Sequence, residues 1–353
     1  MKEKDTMKTW KRILALMLSV LMILGCFTAC GGGEAQQTEP VATEDPEEAK
    51  ALKVLTIGHS LSNDANWLLS LVADAEGYEN LTVGFLYYSG CSLSKHVQFM
   101  NSNSTEYKLW LSSTETANEA PQEIDNVTMQ TAVEYDYWDI IIMQGGVFEI
   151  AEDATYTSGA IQLIQKFVNE HKKNPNATFM WHMPWAFATE LELQKKKDTD
   201  LSKNSFHQGY KAYDNDRTKF YAAFAKCVND HILPDETFVD MIPTGTAFEN
   251  AVSSYLTEFD MHRDYSHATD LARVIAAYTM YCVLTGVEQL EEIKLDAIPK
   301  TLLNATLDKS KDRVLTVNEK ALILESVNNA LKNPLHITQS QYTEAPADYI
   351  PAN

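Results

Sequence analysis

The chain has 353 residues, 45% of them hydrophobic, and carries a formal net charge of −20. This length is sufficient for one large domain and a small appendage. A strongly acidic surface repels phosphate groups, which argues against nucleic acid and anionic lipid headgroups as binding partners.

The first thirty residues are predicted to be a lipoprotein signal peptide. Five basic and two acidic residues precede an apolar run from Ile13 to Leu24, and small residues and cysteine follow it. The run has the length of a secretory signal and is too short to remain as a membrane-spanning helix. Cys30 is the predicted lipidation site, because glycines and a polar segment follow it directly. Cys26 stays open because Phe27 is unusual at its place in the motif, and an ordinary cleaved signal with two incidental cysteines is the other alternative.

Residues 31–50 are predicted to be a flexible acidic linker between the lipid anchor and a folded body. They are rich in Gly, Pro and Glu and contain almost no large apolar side chain, so they cannot bury enough surface to fold. The body is divided into a domain at residues 51–290 and a C-terminal helical extension at residues 291–353. This organisation predicts a protein on the extracellular face of the cell membrane, held there by its lipid anchor.

From residue 51 onward, short apolar runs alternate with segments of helical periodicity, which predicts a parallel sheet covered by helices. The predicted fold class is therefore α/β, a three-layer α/β/α sandwich with a central parallel sheet. The predicted strands are Lys53–Ile57, Leu81–Tyr87, Trp138–Met143, Ala177–Met183 and Thr237–Met241. The predicted helices are Asn66–Glu76, Met129–Tyr135, Ser158–Lys172, Asp214–His231, Ala247–Tyr255, Ala268–Leu284 and Val317–Leu331.

Two polar stretches interrupt this alternation. Asn101–Val127 is predicted to be a surface excursion or a short hairpin. Lys195–Asp216 follows a predicted strand, and loops at the carboxyl ends of strands line the site in open α/β sheets, so it is predicted to be a lid over the substrate. The body also holds Cys91, Cys227 and Cys282, which lack the pairing of a disulfide framework or the spacing of a zinc site. The last two lie in apolar helical runs that are typical of buried thiols.

Two short segments carry most of the chemistry. In the first, a buried strand stops at Gly58, and Ser60 follows in the turn before a helix. In the second, Asp264 and His267 are three residues apart, just before another helical run. A serine needs a base to become a nucleophile, and a histidine oriented by a carboxylate is the commonest one. The two segments together predict a Ser-His-Asp hydrolase.

Each of these residues also has a structural alternative. Ser60 can cap the following helix, although Ser62 and Asn63 suit that cap better. His267 can form a local hydrogen bond at a helix start, and Asp264 can cap the helix or close a turn. The occurrence of the aspartate and the histidine as a pair favours the catalytic interpretation.

The segments IGHSLS and DYSHA resemble the first and last blocks of the SGNH/GDSL hydrolases, in which the nucleophile precedes an Asp-x-x-His pair. With WDIIIMQGG, FMWHMPWAF and IPTGTAFENA between them, the series looks like an uncharacterised bacterial branch of that superfamily, a domain of unknown function. The MQG segment is also similar to the QGE block of sialate O-acetylesterases and acetylxylan esterases. The resemblance covers residues 51–290. It implies a flavodoxin-like SGNH fold and the hydrolysis of an ester through an acyl-enzyme.

The resemblance implies roles for individual residues. Ser60 is the nucleophile, His267 is the general base and then the general acid, and Asp264 holds the imidazole tautomer. The oxyanion hole consists of the backbone N–H of Ser60, Gly90 and the side-chain amide of Gln144, all aimed at the developing charge. The family usually has asparagine where this chain has Gln144. A simple turn glycine is the alternative for Gly90.

Three more side chains are predicted to contact the substrate. His59 occupies the place of the family's aspartate, and a solvent-facing turn residue is the alternative. His182 and Trp185 end a strand on the expected rim, where aromatic rings suit the faces of sugars. Core packing is the alternative for these residues and the favoured interpretation for Trp181. The sequence contains no metal or nucleotide motif, so no cofactor is implied.

The predicted function is that of a surface lipoprotein with serine esterase activity, a carbohydrate O-acetylesterase. The expected partners are a small-molecule or glycan ester substrate and a membrane reached through the lipid anchor, with no nucleic acid. The protein is expected to be a monomer. One alternative is a non-catalytic lipoprotein that binds a glycan or another ligand in the same cleft. The other is a solute-binding lipoprotein of a transporter, which usually needs two α/β lobes and a longer chain.

Overall fold

A seven-stranded sheet runs through the described part of the chain, which in this computed structural model comprises residues 51–146, 149–188, 211–214, 216–303, 309–347 and 349. Its strands are β1 (Leu52–Gly58), β2 (Leu81–Tyr87), β3 (Tyr107–Ser113), β4 (Gln122–Val127), β5 (Ile140–Gln144), β6 (Thr178–His182) and β7 (Phe238–Ile242). They are ordered β4-β3-β2-β1-β5-β6-β7 across the sheet. The neighbouring strands β2, β1, β5, β6 and β7 are parallel, and β3 and β4 add an antiparallel hairpin at one edge.

Helices cover both faces of the sheet. They are α1 (Ser60–Asn66), α2 (Leu69–Glu76), α3 (Leu93–Ser102), α4 (Met129–Val133), α5 (Asp153–Thr157), α6 (Ala160–His171), α7 (Arg217–Cys227), α8 (Thr244–Val252), α9 (Glu258–Met261), α10 (Asp270–Thr285) and α11 (Val317–Lys332). In one layer α1, α2, α8 and α11 pack around α10, and in the other α3, α4 and α5 pack around α6. The predicted three-layer α/β/α fold with a central parallel sheet is confirmed.

The parallel strands are continuous apolar runs because helices cover both of their faces. All five residues of β5 are buried, and so are the last five residues of β1. This pattern is the signal that predicts them. Each of the five parallel strands begins and ends within two residues of its predicted bounds.

Several elements differ from the prediction, among them the short helices α5 and α9, which were not predicted. The polar stretch Asn101–Val127 forms the hairpin alternative, with both of its strands joined to the main sheet. Helix α3 was not predicted from the sequence. The helix predicted to begin at Asn66 begins at Ser60 instead, and it is interrupted at Trp67 and Leu68, which separate α1 from α2.

The strand order of the sheet reverses between β1 and β5. The chain adds β2 and then β3 on one side of β1, and it adds β6 and then β7 on the opposite side, beyond β5. In open α/β sheets, ligands bind outside the carboxyl ends of the strands that flank such a reversal. Ser60 follows the end of β1, and Gln144 is the last residue of β5. The predicted nucleophile and the predicted amide donor therefore lie at the edge where a ligand is expected.

The C-terminal residues pack in the same layer as α10. Helix α11 contacts α8 and α10, and a two-stranded sheet of β8 (Ala297–Ile298) and β9 (Arg313–Val314) precedes it. The chain after α11 then runs along α8. There the backbone N–H of Thr338 donates to Asn250 Oδ1 at 2.7 Å.

The predicted signal peptide, the linker and the lipidation site Cys30 lie outside the described residues. Among the residues that the structure describes, no helix is both long enough and apolar enough to cross a membrane. Cys91, Cys227 and Cys282 are free thiols, and all three are buried.

Candidate active site

Ser60 is the first residue of α1, directly after the end of β1. His59 caps the helix from an extended backbone, and its Nδ1 accepts the backbone N–H of Leu61 at 3.4 Å. The prediction that Ser62 or Asn63 provides the better cap is wrong, because both residues lie inside the helix. The N-terminus of α1 therefore begins at the predicted nucleophile itself.

Gly58 allows the first turn of α1 to approach the sheet closely. A Cβ atom at this position would lie 2.6 Å from Ser62 Oγ and 3.2 Å from Gln144 Oε1. Both distances are shorter than ordinary van der Waals contacts, so a side chain here would push α1 away from β5. The glycine therefore helps to set the position of Ser60.

His59 has no exposed surface. Its Nε2 donates a hydrogen bond to the carbonyl of Gly145 at 2.9 Å, which joins the turn after β1 to the turn after β5. Burial lowers the pKa of His59 to about 4, with the hydrogen bond to Gly145 acting in the opposite direction and the nearby His267 lowering it further. A neutral, buried ring offers nothing for a substrate to touch. The predicted substrate contact of His59 is therefore corrected to a structural role in the turn.

Asp264 and His267 form a hydrogen-bonded pair. His267 Nδ1 donates to Asp264 Oδ2 at 2.7 Å, while Asp264 Oδ1 accepts the backbone N–H groups of Ser266 and His267, both at 2.9 Å. Burial opposes the ionisation of Asp264, but the hydrogen bonds and the electrostatic influence of His267, together with the backbone N–H of Ser266, outweigh burial and lower the pKa of the carboxyl group. The carboxylate holds the proton on Nδ1, which leaves Nε2 free to accept one. The His267 side chain is 29% exposed, so a substrate can reach it.

Ser60 and His267 lie at the same edge without a direct hydrogen bond. Within the described ranges, no hydrogen bond joins Ser60 Oγ to the imidazole. Catalytic hydrogen bonds are often long in unliganded enzymes and shorten when substrate binds. His267 is close enough to lower the pKa of His59, the residue before Ser60. Its influence on that pKa is smaller than those of burial and of the hydrogen bond to Gly145.

The helix that begins with Ser60 and the loop that carries the Asp-His pair are joined through Asp64, which is fully buried on α1. Arg263 Nη1 donates to both carboxylate oxygens at 3.0 Å. Arg273, on α10, donates to Oδ1 from Nε at 2.8 Å and from Nη2 at 2.6 Å. The backbone N–H of Ala268 donates to Oδ2 at 2.8 Å. These partners were not predicted from the sequence, because α1 reads SLSNDAN and an aspartate among other polar residues gives no sign of burial.

The other two predicted oxyanion donors lie in different surroundings. Gly90 is exposed and has a left-handed backbone (φ 61°). A Cβ atom built at this position would have no atom of the described residues within 4 Å, apart from its neighbours in the chain. Gln144 is buried, and its Nε2 donates to His182 Nδ1 at 3.0 Å. Its Oε1 has no hydrogen-bond partner among the described residues. A primary amide has two N–H groups, and His182 engages one of them; only 1% of Gln144 is exposed, so the unliganded structure does not present the other to solvent.

His182 and Trp185, both predicted to line the rim, have no exposed surface. His182 Nε2 donates to Thr244 Oγ1 at 2.7 Å, and burial lowers the pKa of the ring to about 3. Trp185 Nε1 donates to the carbonyl of Ser266 at 2.7 Å, and its ring stacks on Phe248 with centroids 4.7 Å apart. Both side chains therefore support the site from behind. This corrects the predicted substrate contacts in favour of core packing.

The predicted lid, Lys195–Asp216, lies largely outside the described residues. Within the ranges that the structure describes, no group of three or more His, Cys, Asp or Glu side chains is arranged to hold a metal ion.

The family model described as "Domain of unknown function (DUF4886)" matches residues 53–301. This range contains the seven-stranded sheet and every predicted site residue from His59 to His267. No match was found among curated proteins. The predicted resemblance to an uncharacterised bacterial branch, a domain of unknown function, is confirmed by the family match.

Three solved structures are among those that are similar to this chain. The crystal structure of a DUF4886 family protein from Bacteroides uniformis has a TM-score of 0.67 and 24% identity, covering 84% of this chain and 100% of its own. A putative SGNH hydrolase from Slackia heliotrinireducens has a TM-score of 0.39 and 16% identity, covering 66% and 98%. The acetyl xylan esterase AlAXEase has a TM-score of 0.35 and 14% identity, covering 66% and 99%. The first structure shares the fold, and the other two are too distant to carry an argument about activity.

Proposed function

The chain belongs to the family DUF4886, a domain of unknown function, and from its own site we propose that it is a serine ester hydrolase that acts through an acyl-enzyme. The proposal is carried by the 2.7 Å hydrogen bond from His267 Nδ1 to Asp264 Oδ2, at the sheet edge where Ser60 begins α1. Two backbone N–H groups occupy one oxygen of this carboxylate, which leaves the other for the imidazole. This is the arrangement that makes a histidine a base for a serine.

The reaction follows from these roles. Ser60 Oγ attacks the ester carbonyl carbon while its proton passes to His267 Nε2, and Asp264 stabilises the imidazolium. The oxyanion accepts hydrogen bonds from the backbone N–H groups of Ser60 and Gly90 and from Gln144 Nε2. The intermediate collapses as the bond to the alcohol oxygen breaks, and His267 returns the proton to that oxygen. Water then attacks the acyl-enzyme with the same proton transfers, which releases the acid and restores Ser60.

The proposed substrate is an O-acetylated carbohydrate at the cell surface, reached by a protein that is lipidated at Cys30. The signal-peptide pattern of the first thirty residues and the similarity of the MQG segment to sialate O-acetylesterases support this part of the proposal. His182 and Trp185 do not support it, because neither has a surface that a sugar can contact.

The test is mass spectrometry of the purified protein after incubation with a fluorophosphonate. We expect a single adduct on Ser60 that is absent from Ser60→Ala and His267→Ala. His231→Ala is the matched control, since His231 Nε2 also pairs with a carboxylate, Asp153 Oδ1 at 2.9 Å. That variant should be labelled like the unchanged protein.

Two results would change the proposal. A folded protein without an adduct would favour the non-catalytic lipoprotein that binds a glycan in the same cleft. An adduct together with turnover of a small acetyl ester, but of no acetylated glycan, would keep the hydrolase and reject the carbohydrate substrate.

A further inference from the structure

Asp64 is a buried carboxylate with no hydrogen bond to Asp264 or His267 among the described residues, yet it holds the chain on both sides of them. We propose that Asp64 is a positioning residue that fixes the general-base loop against the nucleophile helix. This inference rests on the proposed function of the Ser-His-Asp site. It assigns a role in the reaction to a residue that touches neither the substrate nor the reacting atoms.

Asp64 lies on α1, the helix that begins with Ser60. The two residues are four positions apart on α1, so they lie one above the other on the same face of the helix. Any shift of Asp64 is therefore transmitted through one turn of rigid helix to Ser60. Ser60 therefore lies on the face of α1 whose Asp64 side chain bonds to the loop of the Asp-His pair.

The Asp64 carboxylate accepts hydrogen bonds from the chain on both sides of the Asp-His pair. Arg263 immediately precedes Asp264, and the backbone N–H of Ala268 immediately follows His267. Both donate to the same carboxylate, at 3.0 Å and 2.8 Å respectively. The loop is therefore pinned at its two ends to one side chain of α1.

Two arginines, Arg263 and Arg273, form ion pairs with the Asp64 carboxylate. Arg273, on α10, donates two more hydrogen bonds to the Asp64 carboxylate. Its Nη1 also lies 3.7 Å from Asp270 Oδ1. Charge-assisted, forked hydrogen bonds of this kind fix direction as well as distance.

Glu76 provides a matched control at the far end of the same helix pair. It lies at the end of α2, and its side chain is 6% exposed. It also ties its helix to α10, because Tyr278 Oη donates to its Oε1 at 2.9 Å, and it accepts the backbone N–H of Lys294 at 3.1 Å. Loss of Glu76 removes a comparable buried tie without touching the loop of the Asp-His pair.

The experiment compares Asp64→Asn with Glu76→Gln by the rate of fluorophosphonate labelling at Ser60 and by kcat and KM for a small acetyl ester. We expect both variants to be less stable in urea. Only Asp64→Asn should be labelled more slowly in its folded state, by about ten- to a hundredfold, because a misplacement of about 1 Å has an effect of this order. The loss should appear in kcat with KM unchanged. Wild-type labelling of Asp64→Asn, or an equal loss in Glu76→Gln, would overturn the proposal.

Hydrogen exchange at the Ala268 amide adds a readout that does not depend on catalysis. Because this N–H donates to Asp64 itself, its exchange should be faster in Asp64→Ala, which leaves no acceptor, and unchanged in Glu76→Gln. If the unchanged protein is not labelled at Ser60, the proposed function fails, and the exchange rate still decides whether Asp64 holds the loop. Unchanged exchange in Asp64→Ala would overturn the positioning role.

If Asp64→Asn does not fold, Arg263→Met tests the same tie, because it leaves the Arg273–Asp64 ion pair intact. Slower labelling of Arg263→Met, with partial recovery in Arg263→Lys, would support the proposal. Labelling of Arg263→Met at the wild-type rate would overturn it.

Discussion

Gln144 Nε2 donates a hydrogen bond to His182 Nδ1 at 3.0 Å, so a fully buried histidine lies directly behind the predicted oxyanion donor. The direction of the bond follows from Thr244, whose hydroxyl donates to the carbonyl of Met183 at 2.7 Å and therefore accepts from His182 Nε2. With its proton on Nε2, His182 can only accept at Nδ1. The Gln144 amide is thus held with its NH2 group on His182 and its oxygen toward Gly58.

The first prediction concerns this orientation. We expect His182→Phe, which keeps an aromatic ring but removes the acceptor, to lower kcat for an acetyl ester by about a hundredfold with little change in KM. Loss of one oxyanion donor costs about 3 kcal/mol of barrier, and a misdirected amide is equivalent to a lost one. The measurement is the steady-state kinetics of His182→Phe, Gln144→Ala and the double variant.

The double variant decides whether the two residues act together. If His182 acts only through Gln144, the double variant should be no slower than Gln144→Ala alone. His96→Phe is the control, since His96 is also fully buried and hydrogen-bonded, to Tyr107 Oη at 2.8 Å. Additive losses from His182→Phe and Gln144→Ala would show that the histidine has a separate role.

The fold is largely predictable because its central strands are buried on both faces. The run IIIM within β5 is continuous in apolar character, and no helix boundary or turn residue competes with that signal. The hairpin of β3 and β4 is not predictable in the same way. β4 reads QEIDNV and is mostly exposed, and its pairing with β3 depends on tertiary contacts rather than on an apolar pattern of its own.

The site is predictable only where its parts are adjacent in the chain. Asp264 and His267 are three residues apart, and their spacing alone brings the carboxylate to the imidazole. Asp64 and Arg273 are separated by 209 positions, so nothing in a single sequence pairs them. Burial is equally invisible, because a histidine at a strand end looks the same whether it faces solvent or, like His182, the core.

The second prediction separates the two interpretations of Trp185. We expect Trp185→Phe to lower kcat several-fold and to leave KM for an acetylated glycan unchanged. Phenylalanine keeps the stacking on Phe248 but removes the N–H that holds the carbonyl of Ser266, within the loop of the Asp-His pair. The measurement is kcat and KM for a glycan ester and for a small ester. A rise in KM for the glycan alone would restore the predicted substrate contact.

The third prediction concerns the tautomer of His267. We expect Asp264→Asn to reduce kcat by about 10⁴-fold, because an amide can donate to Nδ1 and so hold the ring with its proton on the wrong nitrogen. The amide oxygen can still accept the backbone N–H groups of Ser266 and His267, so the loop should keep its fold. Activity is measured with a small ester, and folding by urea unfolding. A loss of less than tenfold in a folded variant would contradict the role of the carboxylate.

The fourth prediction concerns acid stability. Burial is the largest cause of lowered pKa values in four histidines, whose ordinary pKa is 6.5. The pKa is lowered to about 4 in His59 and to about 3 in His96, His182 and His262. The unfolded chain therefore binds protons before the folded one as the pH falls. The stability contributed by these rings is fully present above pH 6.5 and is lost progressively as the pH falls from 6.5 toward the folded pKa values.

We expect the free energy of unfolding to fall by about 5 kcal/mol between pH 7 and pH 5.5 if the four sites titrate independently, since each pKa unit is equivalent to about 1.4 kcal/mol. The measurement is urea unfolding at a series of pH values. His96→Phe removes one of the four rings and should reduce the pH dependence by about a quarter, whereas His336→Gln, at an exposed position, should leave it unchanged. Equal stability at pH 7 and pH 5.5 would mean that these histidines are not held neutral. In that case the tautomer of His182 would not be fixed, and it could not explain how the Gln144 amide is oriented.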